Sequence, residues 1–493
     1  MKKLLSLMLA LVMIVGFVQA VPFSVNAVVY NSGYYVYEVV YGEAIIIEAN
    51  PGLKGNITIP SYLGKFPVVA IEPYAFWGNE ELTGVTIPEG VISIGASAFE
   101  ACSNITKVTI PSSLTYVGED GFYGCSMIED VYISDPSAWC NIYFANASAK
   151  PLAPECQMHI LNKNGYEVTN VVLDNRVTEI PHMAFYGCRN LEKITIPDSV
   201  TWIGDWAFAN CSSLNNVSIG KGVTGIDFCA FLSCTALQSI VIPDNVISIG
   251  QACFAECSSL KSVTLGSGVA EIAGEVFDGC TKLEKIEVDS KNQNYSSDGK
   301  GVLFNKEKTT LIVVPVGIRG EYIVPNSVAT IGEFAFGMCD NLQKVIVSES
   351  VTQIDGWAFS SCINLREIRF KGDAPVLGDW IFNGVTATAY YPAGNETWTE
   401  SVMQDYEGNI TWVSYDASAA IPGDIDGSGE VNRDDVVTLL LHVSMPDAFP
   451  LTIPADYNGD GLVTRDDVIQ LLLHVSMPDA FPLQSFKFCY YEP

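Results

Sequence analysis

Histidine is scarce, with four residues in 493. Basic residues are scarce too: 26 Lys and Arg face 56 Asp and Glu, for a net charge of −30. The first shortage leaves little for histidine-based acid–base or nucleophilic catalysis. The second excludes a nucleic-acid binder, because phosphates would be repelled. It also disfavours anionic membrane surfaces and suits a soluble secreted protein or one that binds cations. Beyond the N-terminus no uncharged apolar run approaches 20 residues, so no membrane span is expected. No wall-sorting pattern or hydrophobic tail closes the chain, so attachment is expected to be noncovalent. Apolar residues are not lacking. At 48% they suffice for a large core and argue against global disorder, and the length allows two or three domains.

The N-terminus points to export. Met1, Lys2 and Lys3 form a short basic region, and Leu4 to Val18 is apolar. Small residues follow, in VQA ending at Ala20 and VNA ending at Ala27. This pattern reads as a cleaved signal peptide covering residues 1–27, with Val25 and Ala27 suiting the small-residue rule.

The middle of the chain is periodic. Repeat phenylalanines fall at Phe76, Phe99 and Phe122, at Phe185, Phe208, Phe231, Phe254 and Phe277, and at Phe336, Phe359 and Phe382, with a step of 23 residues inside each block. One copy reads KITIPDSVTWIGDWAFANCSSLNN. Val or Ile alternating with Thr or Ser predicts a short strand with one buried face. The Pro after it turns the chain, and the Gly four residues before the Phe is expected to permit a tight bend. Ala-Phe and the following Cys and Leu are expected to fill the interior from a short helical turn. One unit cannot bury its own apolar face, whereas stacked units can. Thr86, Thr109, Thr195, Ser218 and Thr264 form the outward strand row.

These motifs resemble the BspA-like leucine-rich-repeat family over about residues 28–415. The opening SGYYVYEVV resembles that family's first coil. YSSDGKGVLFNKEKTTLIVVPVG looks like its hairpin module, and DPSAWCNIYFANASAKPL like a recurring detour. The expected fold is therefore α/β: a right-handed leucine-rich-repeat solenoid of short strands and short helical turns in 23-residue coils, with insertions near 132–175 and 288–325. The resemblance implies adhesion or ligand capture by a secreted or surface protein.

Nine of the 14 cysteines sit three residues after a repeat Phe: Cys102, Cys125, Cys188, Cys211, Cys234, Cys257, Cys280, Cys339 and Cys362. One per coil in one register predicts an internal column of reduced thiols acting as small hydrophobes. Their parallel side chains suit neither disulfide torsions nor a four-ligand zinc site. Cys140 and Cys156, in the first insertion, are the candidate bonded pair. Cys229, Cys253 and Cys489 have no evident role.

After a linker at 416–422, residues 423–483 contain a duplication. From Val431 to Leu451 and Val463 to Leu483, 18 of 21 residues are identical. An acidic loop precedes each helix-forming segment. Asp424, Asp426, Ser428, Asn432 and Asp435 occupy positions 1, 3, 5, 9 and 12 of the first loop, and Glu430 supplies its carbonyl at position 7. Asp456, Asn458, Asp460, Thr464, Asp467 and the Leu462 carbonyl do so in the second. This spacing wraps hard oxygens around one centre, so two Ca2+ ions are expected. Ser428 leaves the first loop poorer in charge and expected to bind more weakly. An EF-hand would end in Glu and carry a helix before each loop; here both loops end in Asp and the helix follows. The two loop–helix units resemble a type I dockerin, which implies docking to a cohesin domain. Carried over residue by residue, Arg433, Asp434, Arg465 and Asp466 would read that partner. The SMPDAFPL tails replace the more usual basic helix end. The duplication either supplies the halves of one core or presents one face twice, for binding in two orientations. Residues 484–493 form a tail.

No catalytic module is evident, although carboxylates are plentiful enough for a paired acid site. His442 and His474 are repeat equivalents, and His159 and His182 flank the first insertion without a nucleophile signature. Two residues before the repeat Phe, the late coils carry Phe334, Trp357 and Trp380. They either seal the end of the solenoid or form an aromatic stripe for a glycan or protein ligand. The expected protein is noncatalytic, secreted or surface-bound, and docks through calcium-dependent contacts, in a cellulosome-like assembly or on a bacterial surface. The alternative is a dockerin-bearing polysaccharide-degrading enzyme.

Overall fold

The computed structural model describes residues 28–152, 156–162, 164–416, 425, 431, 433–444 and 463–476. The expected signal peptide, the linker beyond Asp416, the tail and Cys489 lie outside the described residues. Two compact units emerge, one running to Glu307 and including Val313–Gly317, the other comprising Lys308–Ile312 and the chain from Ile318 onward.

Strands form where alternation supplies one apolar face. In Lys107–Ile110, Val108 and Ile110 are buried while Lys107 and Thr109 stay partly exposed, and Ser239–Ile242 repeats the pattern with Ile240 and Ile242. In the first unit Gly55–Thr58, Leu82–Thr86, Lys107–Ile110, Asp130–Ile133 and Gln157–Ile160 pair in parallel, coil to coil. Asn170–Val172, Lys193–Thr195 and Asn216–Ser218 form the next sheet, and Ser239–Ile242, Ser262–Leu265 and Lys285–Val288 another. Most coils have a second, two-residue strand: Tyr116–Val117 pairs with Ser93–Ile94 and with Tyr143–Phe144, and Trp202–Ile203 starts a later ladder. At the N-terminal end Val28–Asn31, Tyr35–Val40 and Glu43–Ala49 form an antiparallel meander whose last strand joins the parallel ladder at Phe66–Ile71. Such a cover blunts an edge that would otherwise template aggregation.

In the second unit Gly320–Ile323, Leu342–Val347, Glu367–Phe370, Thr386–Pro392 and Asn409–Tyr415 make the main sheet, all parallel. Thr330–Ile331, Gln353–Ile354 and Val376–Leu377 make the second ladder. The last coil is closed by Trp398 and Trp412, whose rings lie 4.8 and 5.9 Å from Phe370, and by Tyr406, 6.2 Å from Phe382. This unit also carries helices Arg433–Ser444 and Arg465–Ser476. Val436, Leu439, Val468 and Leu471 from the helices enclose Ile425 in a small separate core.

The interior follows the repeat. Phe185, Phe208, Phe231 and Phe254 stack with centroids 5.2, 5.1 and 5.4 Å apart and planes within 10°. Cysteine does more than fill space. Seven column thiols donate to the carbonyl of the Phe 26 residues earlier, as Cys102 does to Phe76 at 3.1 Å and Cys362 to Phe336 at 2.9 Å. Cys140 is a free thiol, so the candidate pair Cys140 and Cys156 is not joined.

Three more expectations need correction. The solenoid is mostly β rather than α/β, because the Ala-Phe segment is a run of turns and not a helical turn. Alternate backbone N–H groups reach out of the coil: those of Tyr74, Phe76 and Gly78 donate to Ala96, Ala98 and Glu100 of the next one, so they are lost to any helix. The Gly before the Phe serves close approach rather than a bend. A Cβ on Gly95 would lie 2.3 Å from the Pro73 nitrogen, and on Gly250 2.5 Å from the Asp227 carbonyl carbon. The first insertion is no detour but a coil of 27 residues, since Asp130 pairs with Gln157 and Tyr116 with Tyr143. The second contains the expected hairpin, Tyr295–Ser297 against Leu303–Asn305.

Each coil that carries a repeat Phe holds two left-handed residues, two before and two after it. The later position is Gly in five of eleven coils; elsewhere it is Ala101, Asn210, Ser233, Glu256, Met338 or Ser361. A Cβ costs about 1 kcal/mol in that conformation. Ala101→Gly, which deletes one methyl at φ 58°, is expected to stabilise the first unit by about 1 kcal/mol in urea unfolding.

Candidate functional site

The earlier left-handed position behaves differently. All eleven residues there have φ between 53° and 62°, and none is Gly. They are Tyr74, Ser97, Asp120, Met183, Trp206, Cys229, Ala252, Glu275, Phe334, Trp357 and Trp380. Retaining a side chain at a strained position points to a use for that side chain.

The three aromatics expected in one stripe come together. Phe334 and Trp357 stack at 5.7 Å and 12°, and Trp357 and Trp380 at 5.1 Å and 9°. The backbone fixes them, with the Trp357 N–H donating to the Asp379 carbonyl at 3.0 Å. Trp380 ends the row and remains 43% exposed. Sealing is left to Trp398, Trp412 and Tyr406. Because the rings cover one another, the row presents indole edges and the terminal Trp380 rather than three open faces. Trp206 meets Phe228 edge-on at 5.6 Å and lies outside this row.

The Thr and Ser strand row faces outward as expected, but it is interrupted. Tyr132 and His159 continue the line of Thr109. The His159 ring stacks on Tyr132 at 4.7 Å, and the Lys107 ammonium lies 4.4 Å from the Tyr132 centroid. His159 Nε2 is 3.0 Å from Asp130 Oδ1, while Nδ1 meets Glu167 Oε1. Both ring nitrogens are thus engaged, which makes His159 a clasp between coil and loop and leaves no nitrogen to serve a reaction. At His182 the carbonyl accepts from the Lys150 ammonium, and burial with the Lys150 charge pushes the imidazole below its usual range. Burial lowers Lys150 itself to about 8.

A second charged row was not read from the sequence. Lys344, almost fully buried, lies 3.0 Å from Glu321 and 3.6 Å from Glu367, one on each flanking strand. Arg369 sits over the rings of Tyr390 and Tyr415 at 5.3 and 5.2 Å. The sequence signal was available as charges at the register of Lys344, but alternation alone does not say which strands pair.

Of the twelve expected calcium ligands, Asp435, Thr464 and Asp467 are described; Asp424, Asp426, Ser428, Glu430, Asn432, Asp456, Asn458, Asp460 and Leu462 lie outside the described residues. Asp435 and Asp467 have no exposed surface. Asp435 accepts from the Ile425 N–H at 2.6 Å, and Asp467 from the Thr464 N–H at 2.8 Å. Carboxylates so deeply buried need hydrogen bonds or a cation to offset their desolvation, and hard oxygens of this kind would fit Ca2+. Arg433 and Asp434 are exposed at the first helix start and Arg465 at the second; Asp466 lies in the second helix. Val437 and Leu440 are 52% and 45% exposed, and their equivalents Ile469 and Leu472 match them at 52% and 45%.

Among the described residues no helix is long and apolar enough to cross a membrane. Six copies of the BspA type leucine rich repeat region match residues 56–149, 163–307 and 320–401. No curated protein matches the chain. Among solved structures, a leucine-rich repeat protein from Bacteroides ovatus is similar at 21% identity and a TM-score of 0.47, over 81% of this chain and 100% of that one. A leucine rich cell surface protein from Faecalibacterium prausnitzii is similar at 24% identity and a TM-score of 0.41, over 79% and 95%. The pneumococcal vaccine antigen PcpA is similar at 18% identity and a TM-score of 0.32, over 80% and 90%.

Proposed function

Because the chain belongs to the BspA-type leucine-rich repeat family, we propose that it is a secreted, noncatalytic binding protein anchored at a surface or scaffold through its C-terminal helices. The observation that carries this reading is the backbone-held, half-buried row Phe334, Trp357 and Trp380, which ends in the exposed Trp380. It offers an aromatic anchor without a cleft, which suits capture of an extended glycan or a protein segment rather than turnover.

Docking is the second part. A calcium-loaded, dockerin-like pair of loop–helix units would engage a cohesin through Arg433, Asp434 and the exposed Val437 and Leu440, or through Arg465, Asp466, Ile469 and Leu472. Equal exposure of the two apolar pairs supports two interchangeable faces, although the duplication also serves the shared core. A cell-surface location agrees with the family and with the description of the Faecalibacterium relative.

The ligand test uses immobilised polysaccharides and extracellular proteins probed with the full chain. Trp380→Ala is expected to weaken capture at least tenfold, about 1.4 kcal/mol, while leaving the circular dichroism spectrum intact. Equal capture by the variant on every retained ligand would move the site elsewhere. Polysaccharide turnover by the purified protein, abolished by one carboxylate change, would favour the enzyme reading instead.

A further inference from the structure

The first unit contains a cavity of about 980 Å³ between the end of the N-terminal meander and the first two repeat coils. Tyr74 and Trp77 stand in it, 62% and 59% exposed. Their backbone is held in place. The Tyr74 N–H donates to Ala96 at 3.1 Å and the Trp77 N–H to Tyr74 at 3.0 Å, while Asn79 holds the Leu53 carbonyl at 3.2 Å. Glu48, Glu80, Glu81 and Glu100 also line the cavity, and among the described residues no Lys or Arg does. Exposed aromatics beside carboxylates attract organic cations, through the ring quadrupole and through charge.

We propose that this cavity binds a basic segment of a partner protein, seating Lys or Arg side chains against Tyr74 and Trp77 with the four glutamates as counter-charges. Four carboxylates from three stretches of chain exceed what one ammonium would neutralise. That favours a peptide carrying several positive charges over a small amine. The chain's charge of −30 would steer such a partner toward it. The site is separate from the row at Trp380, so it stands or falls independently of the ligand proposed there.

The test is fluorescence anisotropy of a labelled tetralysine peptide with the full-length protein at physiological salt. The wild type is expected to bind, and a tetraglutamate control is not. The double variant Tyr74→Ala/Trp77→Ala, which leaves net charge unchanged, should weaken binding at least tenfold. Glu81→Gln/Glu100→Gln should do the same through a different part of the cavity, so a folding failure in one pair leaves the other informative. Trp380→Ala should bind as wild type. Undetectable tetralysine binding would overturn the proposal. So would full affinity in the aromatic double variant, since the peptide would then be held by the acidic chain in general.

Discussion

At pH 10 the thiol column is expected to cost the first unit about 8 kcal/mol of stability relative to pH 7, and the second unit about 3 kcal/mol. The cause is the thiol column. Cys102, Cys125, Cys188, Cys211, Cys234 and Cys280 lie in the first unit, and Cys339 and Cys362 in the second. Burial raises all eight above the ordinary thiol value of 9.0, Cys102 to about 11 and Cys125, Cys188 and Cys362 to about 12. In the unfolded chain these thiols ionise near their ordinary value. Above it the unfolded state binds fewer protons than the folded one, so stability falls with pH. Each thiol that stays neutral when folded then contributes about 1.4 kcal/mol of loss at pH 10. The window opens near pH 9 and closes as the folded thiols titrate, from about 11 upward. Lys150 opposes the trend: its folded value near 8 lies below its ordinary 10.5, so it gains stability over that interval. One partly exposed amine returns no more than about 2 kcal/mol, and the thiols win. Urea unfolding under reducing conditions at pH 7, 9 and 10 measures the effect. Cys211→Ala should flatten the pH slope by one thiol's share. Stability that is level from pH 8 to 10 would defeat the account, as would equal losses in the two units.

That column was legible because Cys recurs at one register, and so was the repeat, because Phe, Cys and Leu each sit at a fixed step. What the thiols do was not legible: a donor to a carbonyl 26 residues back becomes visible only when coils are stacked. The second ladder escaped notice for a related reason, since strands of two residues, such as Tyr116–Val117, show no alternation. The 27-residue coil was hidden by substitution. Ala149, fully buried, takes the place of the repeat Phe, and Trp139, buried and bonded to the Ala184 carbonyl at 2.6 Å, is unlike anything in the other coils. At the candidate site the row of Phe334, Trp357 and Trp380 follows from their spacing. Their left-handed backbone does not, because no Gly marks that position. Nor does spacing reveal that stacked rings spend their faces on one another. The cavity at Tyr74 and Trp77 draws on three separated stretches, which no periodicity connects.

The proposed calcium-dependent docking makes the second large prediction: chelation should unfold the helices Arg433–Ser444 and Arg465–Ser476. Twelve-residue helices are marginal alone in water. Their shared core has five buried side chains, Ile425, Val436, Leu439, Val468 and Leu471, worth about 1.5–3 kcal/mol each at most. Ordering two helices and their loops costs about 1–2 kcal/mol per residue in backbone entropy, so this core cannot hold the segment by itself. Asp435 and Asp467 are fully buried, so each carboxylate carries a desolvation cost that its hydrogen bonds and a bound cation together would offset. A bound cation reverses that sign, turning the two carboxylates from a burden into ligands. Circular dichroism of the full chain should therefore lose helical signal on chelation and recover it with added calcium, while the β signal of the repeats persists. Asp435→Ala and Asp467→Ala should each raise the calcium needed for recovery, and the double variant should not recover. Cohesin capture should survive either single change and vanish in the double, the outcome expected of two equivalent faces. Helices that keep their signal in chelator would remove the need for metal. Capture lost in one single variant alone would leave the duplication a matter of the core.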